Sequence, residues 1–163
     1  MKKKISTISV IGAGQWGTTL ATLAAENVET VLLYDHDAHR AQIIPKTRIN
    51  EKYLPEIKLA KNIELISDLR SAFLNTRLVL IAVPSRLLGS TAQGFSGFVT
   101  SEHFLVHGIK GIESTSFRRM SEVLSHATTA KHLGVLSGPN LALEVSRKHP
   151  SATVIASTSG ELI

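Results

Sequence analysis

Residues 8–24, ISVIGAGQWGTTLATLA, constrain this chain more than any other stretch. An apolar strand ending in Val10 and Ile11 runs into Gly12-x-Gly14-x-x-Gly17 and straight out into a helix. Each glycine has a physical task in such a turn. Gly12 permits the tight bend, Gly14 removes the Cβ that would block a close-approaching pyrophosphate, and Gly17 lets helix and strand pack closely. The unpaired N–H groups at the helix start then present the positive end of the dipole to an anion. A glycine triplet alone marks only a tight βα turn. Here a strand precedes it, and Trp16, Leu20, Leu23 and Ala24 share one helical face after it.

Eighteen residues beyond Gly17 a second strand, VLLYD, ends in Asp35. An acid there is placed to accept both ribose hydroxyls of an adenosine, which favours NAD. His36 follows and is equally placed beside a 2′-phosphate, so both NAD and NADP stay open. Asp35, His36, Asp37 and His39 are all potential metal ligands. Ligands so close in sequence rarely converge without a distant partner, and the simpler reading is a strand end followed by a helix capped by Asp37. No metal is expected.

Strand and helix patterns alternate along all 163 residues without linker, repeat or low-complexity segment. A helix is predicted near 37–44, followed by a loop with Pro45, Tyr53 and Pro55. A short strand is expected at 63–66, and Ser67-Asp68 open a helix. LVLIAV (78–83) has the apolar, β-rich pattern of a strand covered on both faces. Pro84 ends it and starts the next helix. Further strands are predicted at 104–107, 133–137 and 152–156, with helices near 115–126 and 139–147, and the final SGELI reads as another helix start. This alternation predicts one α/β domain, residues 1–163, with a doubly wound, mainly parallel, Rossmann-like sheet and helices on both faces.

Ligands of such sheets collect at the carboxyl ends of the strands. That directs attention to three loops. Pro84 is placed either to pack near a nicotinamide or simply to begin a helix. Lys110, between glycines just after a strand, is either a fixed cation for a phosphate or developing alkoxide, or a surface lysine. Gly138 and Asn140 lie in a strand-to-helix turn, where Asn140 is either a ligand contact or an N-cap.

These residues resemble the NAD(P)-dependent glycerol-3-phosphate dehydrogenase family. The likeness is carried by GAGQWGTTLA at 12–21, NEKYLPEI at 50–57, AVPS at 82–85, KGIE at 110–113, SGPNLALEV at 137–145 and PSATVIAS at 150–157. The family reduces dihydroxyacetone phosphate reversibly to sn-glycerol 3-phosphate, feeding glycerophospholipid synthesis. The resemblance implies that Gln15, Trp16, His36 and Ala142 contact the dinucleotide. It implies that Lys110 touches cofactor and substrate, with Gly138 and Asn140 at the substrate phosphate. Gln15 stands where serine is frequent, and Asn140 where serine or threonine is frequent; both keep a hydrogen-bonding side chain. Family members continue into a helical domain with the principal catalytic lysine, which this sequence lacks, so the isolated chain is expected to bind dinucleotide but be catalytically incomplete. A related 6-phosphogluconate or hydroxyacid dehydrogenase, and a non-enzymatic dinucleotide-binding module, are the alternatives.

Composition narrows the partners. The net charge of +5 suits phosphorylated metabolites, while scattered cations and 5% aromatics match no nucleic-acid module, so no nucleic-acid partner is expected. Lys2–Lys4 read as a solvated terminus. No apolar run approaches the ~20 residues of a membrane span. The short basic start leads into the first strand, which argues against a signal peptide. The absence of cysteine fits a cytoplasmic protein. A homodimer is the expected assembly of a full-length protein.

Overall fold

The computed structural model describes residues 5–163, so the Lys2–Lys4 cluster lies outside the described residues. Seven strands form one sheet: β1 (Thr7–Ile11), β2 (Thr30–Tyr34), β5 (Ile63–Ile66), β6 (Leu78–Ile81), β7 (Phe104–His107), β8 (His132–Ser137) and β9 (Val154–Ser157). Their order is β5-β2-β1-β6-β7-β8-β9. The first six strands are parallel, with Ile8 opposite both Val31 and Leu78, and Leu80 opposite Val106. This is the doubly wound order, in which strands are added outward from β1 first on one side and then, from β6, on the other. β9 joins antiparallel at the β8 edge, pairing Val135 with Ala156.

Alternate side chains of each strand enter opposite apolar layers, as a sheet covered on both faces requires. Val10, Val31, Leu33 and Ile63 pack with Ala21 of α1 (Gln15–Ala25) and Ile44 of α2 (Ala38–Thr47). Ile11, Val79, Ile81 and Leu105 pack on the other face. That face is covered by α3 (Ser71–Leu74), α4 (Leu88–Phe95) and α5 (Met120–Ala127). α6 (Ala142–Ser146) lies against α1. Thr18 and Thr19 of α1 are fully buried, because α1 is enclosed by more than the sheet. Among the described residues, no helix is long and apolar enough to cross a membrane.

Several boundaries differ from the sequence expectation, each for a local reason. Pro45 lies inside α2, in the last turn, and the helix ends at Arg48 in the left-handed conformation. The Arg48 guanidinium donates to the carbonyls of Leu59, Ala60 and Ile63, which holds that conformation in place. Pro55 and Tyr53 belong to a small antiparallel hairpin of β3 (Ile49–Asn50) and β4 (Leu54–Lys58), not to an open loop. β6 stops at Ile81, where Ala82 N–H reaches the Ile11 carbonyl and the chain turns out of the sheet. After Pro84, a 3-10 turn (Ser85–Leu87) precedes α4. α5 begins only at Met120, where Glu122 accepts from the Arg119 backbone N–H and caps the helix. α6 begins only at Ala142, and residues 160–162 form a turn and not a helix.

Candidate functional site

Three turns leave the sheet side by side at the carboxyl ends of the central strands. Gly12 N–H bonds the Tyr34 carbonyl, Ala82 N–H the Ile11 carbonyl, and Gly108 N–H the Ile81 carbonyl. They frame a cleft of about 870 Å³. Gly12, Gly14, Gln15, Trp16, His36 and Pro84 all line it, and so does Lys110. These seven expected site residues therefore converge, although they come from separate loops.

The three glycines do different things. Gly12 has φ +110°, and a Cβ there would lie 2.8 Å from the Ala82 carbonyl oxygen. Gly17 is buried behind the turn, where a Cβ would overlap the Gly12 carbonyl oxygen. Gly14 has ordinary extended backbone with nothing within 4 Å of its Cβ position. The folded chain thus has no need of glycine at 14, and the open space it leaves faces the cleft. No side chain caps α1, whose first turn keeps its N–H dipoles for that space. This cradle fits a pyrophosphate.

A second pocket of about 340 Å³ is lined by Gly138, Asn140 and Ala142. It shares Gln15, Trp16, Gly108 and Lys110 with the larger cleft, so the two cavities meet at these residues. Trp16 lies so close to Gly108 that a Cβ on the glycine would sit 2.5 Å from the indole Nε1. Lys110 is exposed, and among the described residues no carboxylate pairs with it. Gly138 has φ +155°, and a Cβ there would overlap the Ala152 carbonyl. Asn140 does not cap α6. Its Oδ1 accepts from Ser151 Oγ at 2.7 Å and Thr153 Oγ1 at 3.0 Å. The Ala142 carbonyl accepts from Thr19 Oγ1 at 3.2 Å, tying this wall to α1.

Asp35 departs from the expectation. It is 1% exposed and not on the cleft wall. Arg40 Nε and Nη2 grip its two oxygens at 2.8 and 2.6 Å, so the carboxylate is turned toward α2. The Asp35 hydrogen bond pushes the Arg40 pKa further above its ordinary value. Asp37 caps α2 by accepting from the N–H groups of His39 and Arg40, and the Arg40 N–H in particular holds its carboxyl below the usual range. Among the described residues, no three His, Asp or Glu side chains are grouped so as to share a metal ion.

Arg40, Tyr53 and Asn50 are among the wall or support residues not singled out from sequence. Arg40 and Tyr53 line the large cleft, with the Arg40 guanidinium 5.0 Å from the Tyr53 ring centroid. Asn50 is buried beneath the glycine turn, donating to the Ala13 carbonyl at 3.0 Å and to Thr18 Oγ1 at 2.9 Å. Asn50 and Tyr53 lie in NEKYLPEI, a stretch whose family likeness carried no stated role. Arg40 had no local signal beyond standing five residues after Asp35.

Residues 7–163 match the family profile described as NAD-dependent glycerol-3-phosphate dehydrogenase N-terminus. The chain belongs to this family. A glycerol-3-phosphate dehydrogenase [NAD(P)+] of Acinetobacter baumannii is 38% identical over 158 residues, covering 97% of this chain and 44% of the relative. Its counterpart in Ectopseudomonas mendocina is 40% identical, over 98% of this chain and 46% of the relative. The crystal structure of a glycerol-3-phosphate dehydrogenase from Coxiella burnetii superposes with a TM-score of 0.90 at 26% identity, over 98% of this chain and 49% of that one. This member of the family spans less than half the length of the curated relatives it matches.

Proposed function

We propose that this chain is the dinucleotide-binding domain of an NAD(P)-dependent glycerol-3-phosphate dehydrogenase, which interconverts dihydroxyacetone phosphate and sn-glycerol 3-phosphate for glycerophospholipid synthesis. The observation that carries this reading is the open space at Gly14, facing uncapped helix N–H groups at the sheet's reversal point. The names of the relatives support both NAD and NADP as cofactors. A cytoplasmic location, a homodimeric full-length protein and the lack of a nucleic-acid partner are part of the same proposal.

The cofactor, bound in the larger cleft, would supply or take a hydride at the nicotinamide. The chain's own residues orient the partners around it. The α1 N-terminus and Gly14 hold the pyrophosphate, and Pro84 walls the nicotinamide end. Lys110, set where the two cavities meet, touches the dinucleotide and stabilises negative charge on the substrate phosphate or on a developing alkoxide. Gly138 and Asn140 form the far wall of the smaller pocket, at the substrate phosphate end.

Calorimetric titration with NADH and NADPH tests the reading. Wild type is expected to bind, and Gly14→Val is expected to abolish binding with an unchanged melting temperature, because the backbone at 14 is ordinary and its Cβ position is clear. Equal affinity in the valine variant places the site elsewhere.

A further inference from the structure

We infer that Arg40 is the group that reads the adenosine end of the dinucleotide, and that it admits a 2′-phosphate at the strand end where Asp35 by itself favours a free 2′-hydroxyl. This rests on the reading that the large cleft binds a dinucleotide. An acid at the end of β2 selects a free 2′-hydroxyl only when its oxygens point at the ribose. Here both oxygens are committed. Oδ1 accepts from Asp37 N–H at 3.0 Å and from Arg40 Nη2 at 2.6 Å, while Oδ2 accepts from Arg40 Nε at 2.8 Å. The carboxylate is also 1% exposed.

The cation takes the wall position instead. Arg40 lines the cleft together with His36 and Tyr53. Its Nε–H and one Nη2–H are spent on Asp35, which leaves three of the five guanidinium N–H groups, with Nη1 3.7 Å from Asp37 Oδ2. The bidentate grip and the adjacent Tyr53 ring fix its plane. Asp35 and Asp37 together outweigh the one arginine charge, which opposes a phosphate. Asp35 has both oxygens occupied, however, and Asp37, whose Oδ1 accepts from the His39 and Arg40 N–H groups, is not on the cleft wall. The charge facing this end of the cleft is therefore carried by the remaining guanidinium N–H groups. A phosphate accepts charge-assisted bonds from them, whereas a hydroxyl gains only a neutral partner.

Titration of wild type with NADH and NADPH, and with the fragments 5′-AMP and 2′,5′-ADP, tests the inference. NADPH is expected to bind at least tenfold tighter than NADH, with the gap narrowing as salt rises from about 50 to 300 mM. Arg40→Ala strands a buried carboxylate and can unfold the chain, so the decisive variant is the double change Asp35→Asn with Arg40→Gln, which removes both charges together. It should lose the preference for the 2′-phosphorylated ligands, with NADPH affinity falling at least tenfold more than NADH affinity. A wild-type preference for NADH, or an equal loss of both cofactors in the double variant, overturns this inference alone. A wild type that binds neither cofactor nor fragment overturns the dinucleotide reading as well.

Discussion

At the scale of single residues, Lys110 and Asp35 show how little a residue type says without its neighbours. Lys110 is exposed, and exposure alone describes most lysines. Its position at the meeting of two cavities, with no paired carboxylate among the described residues, leaves its charge available to a ligand. Lys110→Ala is expected to weaken dinucleotide affinity by about tenfold or more, the scale of one charge-assisted contact. The melting temperature should hardly move, because an exposed loop lysine contributes little packing. Lys110→Arg should restore affinity poorly, since the planar guanidinium is shaped for bidentate contacts. Calorimetry beside a thermal melt checks both halves, and an unchanged Kd in the alanine variant leaves Lys110 a surface charge. Asp35 is the converse case: well placed in sequence, it is spent on Arg40.

At the scale of elements, the small β3–β4 hairpin supports the glycine turn. Asn50 is 1% exposed, and its amide bridges the Ala13 carbonyl and the Thr18 hydroxyl, so hairpin, turn and α1 are bolted at one point. Asn50→Ala leaves that buried carbonyl and hydroxyl unpartnered, at a cost of about 1–3 kcal/mol. Urea denaturation should show the loss, and dinucleotide affinity should fall with it, because the turn that holds Gly14 is loosened. An unchanged urea midpoint would show that the bridge adds nothing to the fold. The α1 strand-turn-helix unit was legible because its signals are local: an apolar run, three glycines and a helical face. The hairpin was not, because Pro45 and Pro55 read as breakers, and only Arg48 reaching three distant carbonyls makes the intervening bend stable.

At the scale of the whole molecule, burial of a titratable group couples stability to pH. His107 is 3% exposed, on the same strand face as Leu105. Its Nδ1 accepts the Ile109 N–H at 3.4 Å, which leaves the ring proton on Nε2, a buried atom without a partner among the described residues. Burial pushes its pKa below the ordinary histidine value. As pH falls past about 6.5 the unfolded chain takes up a proton that the folded chain resists. The unfolded state then binds more protons, so stability declines from pH 7.5 through 6.5 until the lowered folded pKa is reached, by about 1.4 kcal/mol per unit of separation. Denaturation at pH 7.5 and 5.0 should show this decline, and His107→Asn should flatten it while keeping an acceptor for Ile109. Identical slopes in the two proteins would assign the acid sensitivity to other groups.

The sequence by itself determined the doubly wound fold, the glycine cradle and the loops that carry the site. Those features follow from short-range periodicity and from the rule that parallel strands end on one edge. The edge rule and the family likeness single out Pro84, Lys110, Gly138 and Ala142, which lie on the walls of two adjoining cavities. The tertiary structure alone decided the antiparallel seating of β9, the meeting of two cavities at Trp16 and Gly108, and the freeing of Asn140 from any capping role. It also decided which charge faces the β2 end of the cleft. Asp35 and Arg40 are both polar, both near the end of β2, and equally able to face a ligand. Only the folding of α2 back over the strand end, which lets the guanidinium grip the buried carboxylate, puts the cation on the wall and the acid behind it.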